Sequence, residues 1–361
     1  QSPEKAFLNV YIPILLLLPQ IFSAEVFFFH NFSFAQNAII PVFTGFIIYK
    51  FLSKRYSGVN FSITDFVVIS YVALCAYSEF VNSSYEFVYS LAVDKTTSII
   101  FPYFLAKYLI HPRGLSVTLA KRIVILLVID IFICAYELRM SQNPNLTFFQ
   151  HFFPAQGHSW HTIFRLGLAR IAGPFIHPIL FALMIGVTII LNYWIIKNKL
   201  WKKILPISSG LISMCILCTG ILLTFSRGPI LSTIFGLFVA SIGFAKSRRW
   251  AMLWRGAILI IAALIIYDYY QSYTEINRYM ASTDAERTAA YRAELVEKYR
   301  KYVLQRPVWG WGYTTLPISE GLNSIDNQYL WLALKHGMIV LGVFVTILST
   351  SFFRLLFRGM E

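Results

Sequence analysis

The chain has 361 residues, of which 57% are hydrophobic and 13% charged, with a formal net charge of +14 and a mean hydropathy of +0.62. These values exclude an ordinary soluble domain. The positive charge sits in loops between apolar blocks, which argues for contact with anionic lipid headgroups and against nucleic acid as the partner.

Apolar blocks at 7–22, 39–51, 66–80, 87–110, 123–135, 174–196, 204–225, 229–244, 252–267 and 338–353 predict about ten or more transmembrane helices, several shorter than the roughly 20 residues of an average span. Period-two alternation is absent, so strands are not expected, and backbone facing lipid must satisfy its own hydrogen bonds. The fold class is an all-α polytopic membrane protein. The 7–22 block stands where a signal peptide would, but Pro13 and Pro19 lie inside it and no small-x-small site follows, so it reads as a span. Gln1 in place of Met, and an end just past the last block, leave room for further helices.

The expected organisation is membrane helices one to nine over 1–267, with an external loop at about 138–172. One large external loop follows at 268–325, with a helix at about 285–305, and a final helix or helices at 326–361. Short loops rich in Lys and Arg stay cytoplasmic. The groups Lys50, Lys54, Arg55; Lys107, Arg113, Lys121, Arg122; Lys197, Lys199, Lys202, Lys203; and Lys246, Arg248, Arg249, Arg255 all fall in alternate loops, with Arg354 and Arg358 on the same side. The loops at 23–38 and 80–86 hold no Lys or Arg and are expected outside. Cys75, Cys134, Cys215 and Cys218 read as small buried hydrophobes, with Cys215 and Cys218 as a redox or metal pair the alternative.

Three groups of unusual residues fall on the external side of this topology. Arg170 to Pro178 leads into the sixth span, where Gly173 and Pro174 read as a helix start; His177 is either a hydrogen-bonded interfacial histidine or a site residue. Thr224 to Pro229 is the only break between the seventh and eighth spans. A charge so close to hydrocarbon needs a partner or a task, so Arg227 either snorkels to headgroups or binds an anionic ligand at the surface. The third is the 268–325 loop. Thr283 and Glu286 have capping-box spacing, the following twenty or so residues favour helix, and Pro307 stops it. Arg287, Tyr291, Glu294 and Lys298 share one face; Leu295, Tyr299 and Tyr302 share another. Lys298, Arg300 and Lys301 read as a solvated face, whereas Arg287 and Arg292 lie near a helix start that disfavours cations. Gly310 and Gly312 permit a tight turn or close approach of a ligand.

These residues resemble the O-antigen ligase and polymerase family of bacterial membrane glycosyltransferases. The resemblance runs over Arg170, Gly173, Phe175, His177 and Pro178; Ser226, Arg227 and Gly228; Arg287 with Tyr291; Pro307, Gly310 and Gly312; and Asn327, Tyr329 and Leu330, with Gly337 and Gly342 beyond. It covers roughly residues 165 to 345. It implies a lipid-linked-sugar (GT-C-like) glycosyltransferase fold in the bacterial inner membrane, with the large loop and the active site facing the periplasm. The reaction it implies moves a glycan from undecaprenyl diphosphate to an acceptor hydroxyl without a nucleotide sugar.

Guanidinium groups match phosphate oxygens with paired, charge-assisted hydrogen bonds, so Arg227, Arg287 and, less directly, Arg170 are the residues expected to meet the diphosphate and its growing charge. Asp326 joins Arg227 and Arg287 as a catalytic candidate. His177, Ser226, Tyr291, Arg292, Asn327, Tyr329, Trp309 and Trp311 complete the expected binding set, the two tryptophans serving either headgroup belts and packing or sugar stacking. No His, Cys or Asp cluster has ligand spacing, so no metal or other cofactor is expected. Ligases of the family usually carry histidine directly before the asparagine, where this chain has Asp326. That departure favours a polymerase, with a lipid-linked repeat unit as acceptor; the alternative is a ligase using lipid A core. Asp326 either takes up a proton from the acceptor hydroxyl or caps the helix starting at Asn327. Membrane lipids and a chain-length regulator are the other expected partners. A flippase or sugar transporter is the reading of another class, since Asp94, Lys95 and Asp130 fall within apolar blocks.

Overall fold

In the computed structural model the described residues are 2–26, 29–53, 61–165, 167–204, 207–244, 250, 253–258, 261, 284–317, 325 and 327–360. The chain divides into two compact units, Gln1–Val59 with Thr97–Phe244 and Asn60–Thr96 with Ala245–Glu361. Most of the 252–267 block, the polar stretch up to 283, and Asp326 lie outside the described residues.

The first unit is built around the Pro178–Lys197 helix, which packs against Ser116–Met140, Ser209–Leu223 and Arg227–Ile242. Its inward side chains, Phe181, Ala182, Ile185 and Ile189, are fully buried, while Leu180, Leu183 and Val187 on its outer side are exposed. A helix apolar on every side and exposed on one is suited to lipid rather than water. Small residues let neighbours approach closely, as Gly186 does opposite the Thr233 side chain and Gly220 opposite Ile131. Polar bonds add to this packing: buried Asn192 donates to the Gly210 carbonyl at 2.9 Å and accepts from the Trp201 indole at 2.8 Å.

The second unit packs Ile63–Asn82 against Tyr85–Lys95 and Gln328–Met360, and packs Asp284–Gln305 against the last of these. Leu295, Tyr299 and Val303 of the loop helix bury themselves against Ala333 and Leu334. The last helix is kinked at Gly337, whose backbone is not helical (φ 85°, ψ 173°).

Among the described residues three helices are long and apolar enough to cross a membrane, Ile63–Asn82, Pro178–Lys197 and Gln328–Arg354, with Ser209–Leu223 and Arg227–Ile242 apolar but shorter. Other expectations need correction. The first block is not one continuous helix, because Ile12–Leu17 ends where Leu18 turns extended; the ring of Pro19 disfavours helical backbone in the residue before it. Three two-stranded antiparallel ladders join helices where no strand was expected: Ser23–Val26 with Phe29–Ser33, Phe164–Arg165 with Leu168–Ala169, and Lys203–Ile204 with Ile207–Ser208. Cys75 and Cys134 are buried, but Cys215 and Cys218 are exposed, since a spacing of three puts both on the outer face of Ser209–Leu223.

Candidate functional site

The Ser209–Leu223 helix ends in a three-residue turn, and Arg227–Ile242 begins directly after it. Carbonyls in a turn past a helix end lack intrahelical donors, and two arginines supply donors to those of Thr224 and Phe225. Arg170 donates from Nε to the Thr224 carbonyl and from Nη2 to the Ser226 hydroxyl, both at 2.8 Å. Arg165 donates to the Phe225 carbonyl at 2.8 Å. Phe225 is held at φ 48°, a left-handed conformation that side-chain-bearing residues rarely adopt. Ser226 then starts the next helix, its carbonyl accepting from Ile230 at 3.2 Å.

Arg170 and Ser226 are buried, whereas Arg227 is exposed. Burial, and then the neighbouring Arg165 charge, lower the Arg170 pKa from its ordinary value. Arg170 and Ser226, expected separately as binding residues, are brought together, with Arg170 positioning the turn and Arg227 presented at the first residue of a helix. The macrodipole there is unfavourable for a cation and favourable for an anion that the cation could share.

The segment that follows Arg170 is pinned by a buried carboxylate. Glu137 accepts from the Ala172 and Gly173 amides at 2.9 and 3.1 Å and from Asn143 Nδ2 at 2.9 Å. Asn143 also donates to the Gly173 carbonyl at 2.8 Å. Gly173 has φ 57°, so the helix does not start there as expected; it starts at Pro178, with His177 Nδ1 accepting from the Ile179 amide at 3.1 Å.

In the second unit Asp284–Gln305 matches the expected helix closely. Arg287 and Arg292 are exposed, and Lys298 pairs with Glu294 at 2.7 Å. Tyr291 packs against the buried cluster of Leu295 and Tyr299 rather than sharing the solvated face of Arg287. Gly310 and Gly312 take positive φ of 65° and 69°, and the close approach they permit is to the chain itself. A Cβ at Gly310 would lie 2.6 Å from the carbonyl oxygens of both Leu334 and Lys335. Trp311 and Gly312 donate to those same two carbonyls at 2.9 Å.

Both tryptophans are engaged in the fold. The Trp311 indole donates to the Tyr302 carbonyl at 2.9 Å and carries Arg306 4.3 Å from its ring centroid. Trp309 packs edge-on against Tyr77 at 4.7 Å, and its carbonyl accepts from Ser78 and Asn82. Asn327 caps the following helix, its Oδ1 accepting from the Tyr329 and Leu330 amides at 3.0 and 3.1 Å. The helix thus starts at Gln328 and the cap is Asn327, one residue beyond the expected Asp326. Tyr329 is exposed and edge-on to Phe344 at 6.2 Å.

Sequence reasoning did not single out Arg165, Glu137, Glu79 or Lys335. A carboxylate at the end of an apolar block was a usable signal for Glu79. Its Oε1 accepts from the Ser83 hydroxyl at 2.6 Å and the Tyr313 amide at 2.8 Å.

Helices apolar enough to cross a bilayer, together with a turn between two shorter apolar helices that two guanidinium groups bind beside a third, define a helical membrane protein with a cationic polar turn. Residues 212–345 match the family model described as O-antigen ligase, which supports the O-antigen ligase/polymerase family for this chain. No curated protein matches it. The matched stretch holds Ser226, Arg227, Arg287, Gly310, Gly312 and Asn327, while Arg170 and His177 lie before it.

Proposed function

We propose that the chain is a polysaccharide or O-antigen polymerase, a glycosyltransferase with a GT-C-like fold of about ten or more spans. It transfers a glycan from undecaprenyl diphosphate to the next lipid-linked repeat unit on the periplasmic side of the bacterial inner membrane. The observation that carries the reading is the Arg170 clamp on the Thr224 and Ser226 turn. Two buried or half-buried arginines are spent on the backbone so that Arg227 stands exposed at a helix start, a placement costly for a cation without an anionic partner.

In the reaction, the acceptor hydroxyl oxygen bonds to the anomeric carbon of the donor sugar while the bond from that carbon to the diphosphate oxygen breaks. The hydroxyl proton leaves to a base, and Asp326 is the residue proposed for it. Negative charge grows on the departing diphosphate, and Arg227 and Arg287 are each proposed as cationic groups that stabilise it. Asp326 before Asn327, where ligases of the family carry histidine, favours the polymerase. The ligase is the second reading, favoured by the description of the matching family model.

The test is reconstitution with a lipid-linked repeat unit as sole substrate. A ladder of longer glycans supports the polymerase. Product only after addition of lipid A core supports the ligase, and movement across the bilayer without new bonds supports a transporter.

A further inference from the structure

The second unit contains a cavity of about 340 Å³ lined by Glu79, Phe87, Asp94, Lys95, Tyr313 and Lys335 among others, none of them in the proposed catalytic set. Its size lies at the lower end of small-molecule sites. Phe87 and Tyr313 form an aromatic wall with ring centroids 5.3 Å apart. Lys335 Nζ lies 4.9 Å from the Tyr313 ring centroid, and Lys95 pairs loosely with Asp94 at 3.8 Å.

Glu79 is fully buried. One oxygen is satisfied by Ser83 and Tyr313, and the other, Oε2, has no hydrogen-bond partner among the described residues. A buried acceptor without a donor is costly and marks a place where a donor belongs. The two carboxylates and two ammonium groups of the lining cancel in formal charge, which disfavours a phosphate. A neutral ring carrying hydroxyl groups matches both the aromatic wall and the mixed donors and acceptors.

We propose that this cavity is a saccharide subsite, in which a sugar hydroxyl donates to the Glu79 carboxylate and the ring packs on Tyr313 and Phe87. The proposal rests on the glycosyltransferase reading, and the sugar belongs either to the acceptor or to the donor glycan.

The experiment places a cysteine at the exposed lining position Ser90 in the full chain in proteoliposomes. Its alkylation rate is followed on the peptide carrying position 90, with three probes: the host cell's free repeat-unit oligosaccharide, the same unit on undecaprenyl diphosphate, and undecaprenyl diphosphate alone. Both glycan probes, or the lipid-linked one only, should slow alkylation, and the bare lipid diphosphate should not. Protection by the free oligosaccharide assigns the acceptor sugar; protection only by the linked form assigns the donor's.

Glu79→Gln keeps an oxygen for Ser83 and Tyr313 but removes the second acceptor, and should weaken protection at least about tenfold with an unchanged melting temperature. Asp94→Asn, at a more exposed lining position, provides a second variant in which protection should also weaken. Equal protection by bare undecaprenyl diphosphate, or full protection in both variants, overturns the proposal. Glycan elongation is measured on the same preparations. Elongation by wild type without protection at position 90 removes the saccharide subsite and leaves the transferase reading standing; protection without elongation or transfer to lipid A core does the reverse.

Discussion

The Arg170 guanidinium donates to the Ser226 hydroxyl across 2.8 Å, joining two turns 56 residues apart in sequence. Both residues are buried. Arg170→Ala would remove the guanidinium donor from the Thr224 carbonyl and the Ser226 hydroxyl, leaving them only the longer 3.2 Å bond from that hydroxyl to that carbonyl, at a cost of about 1–3 kcal/mol. Thermal unfolding in detergent should show a lower midpoint, and glycan transfer should fall with it. Arg170→Lys should recover only part of both, because an ammonium cannot hold two acceptors with the same fork.

Arg227→Ala should behave differently. The side chain is exposed, so stability should change by no more than about 0.5 kcal/mol. Transfer should drop about a hundredfold or more if the guanidinium stabilises the departing diphosphate. Turnover and melting temperature measured on one preparation separate this from the Arg170 effect.

Two glycines make a paired test, Gly310 in the turn after the loop helix and Gly228 in the first turn of Arg227–Ile242. Gly310→Ala should destabilise the protein, because a Cβ there would press on the Leu334 and Lys335 carbonyls and the residue sits at φ 65°. Gly228→Ala should be well tolerated, since a Cβ there meets nothing within 4 Å. Unfolding midpoints of the two variants should differ clearly, with Gly310→Ala the lower.

Much of this was legible in the sequence, for reasons that differ by residue. The Asp284–Gln305 helix follows from local helix formers and a terminating Pro307, and the break at 224–226 follows from Arg, Gly and Pro inside apolar sequence. The long-range partners of Arg170 and Glu137 were not legible, because those hydrogen bonds join segments 35 to 56 residues apart. Tyr291 was placed with Arg287 by helical spacing, yet it lies near enough to the Leu295 edge to pack there. Gly310 and Gly312 signal a close approach in any sequence; that the approaching group is the chain's own backbone at 334–335 is set by tertiary structure.

Glu137→Ala should be among the most damaging single changes. It would leave two buried backbone amides without their acceptor and take from Asn143 one of its two, a loss of several kcal/mol. Glu137→Gln retains an acceptor and should recover part of the melting temperature and of the transfer activity.

Topology can be tested without substrate. Single cysteines at positions 227, 287 and 327 should react from the outside with an impermeant thiol reagent in intact cells whose outer barrier has been opened. Reaction only after the cytoplasmic face is exposed would reverse the orientation derived from the Lys and Arg loops.

The most direct measurement is glycan elongation by the purified protein in proteoliposomes supplied with a lipid-linked repeat unit alone. Wild type should yield a ladder of longer lipid-linked glycans, reduced about a hundredfold or more in Arg227→Ala. Translocation of the repeat unit across the bilayer with no new glycosidic bond, in wild type and Arg227→Ala alike, would contradict the proposed function.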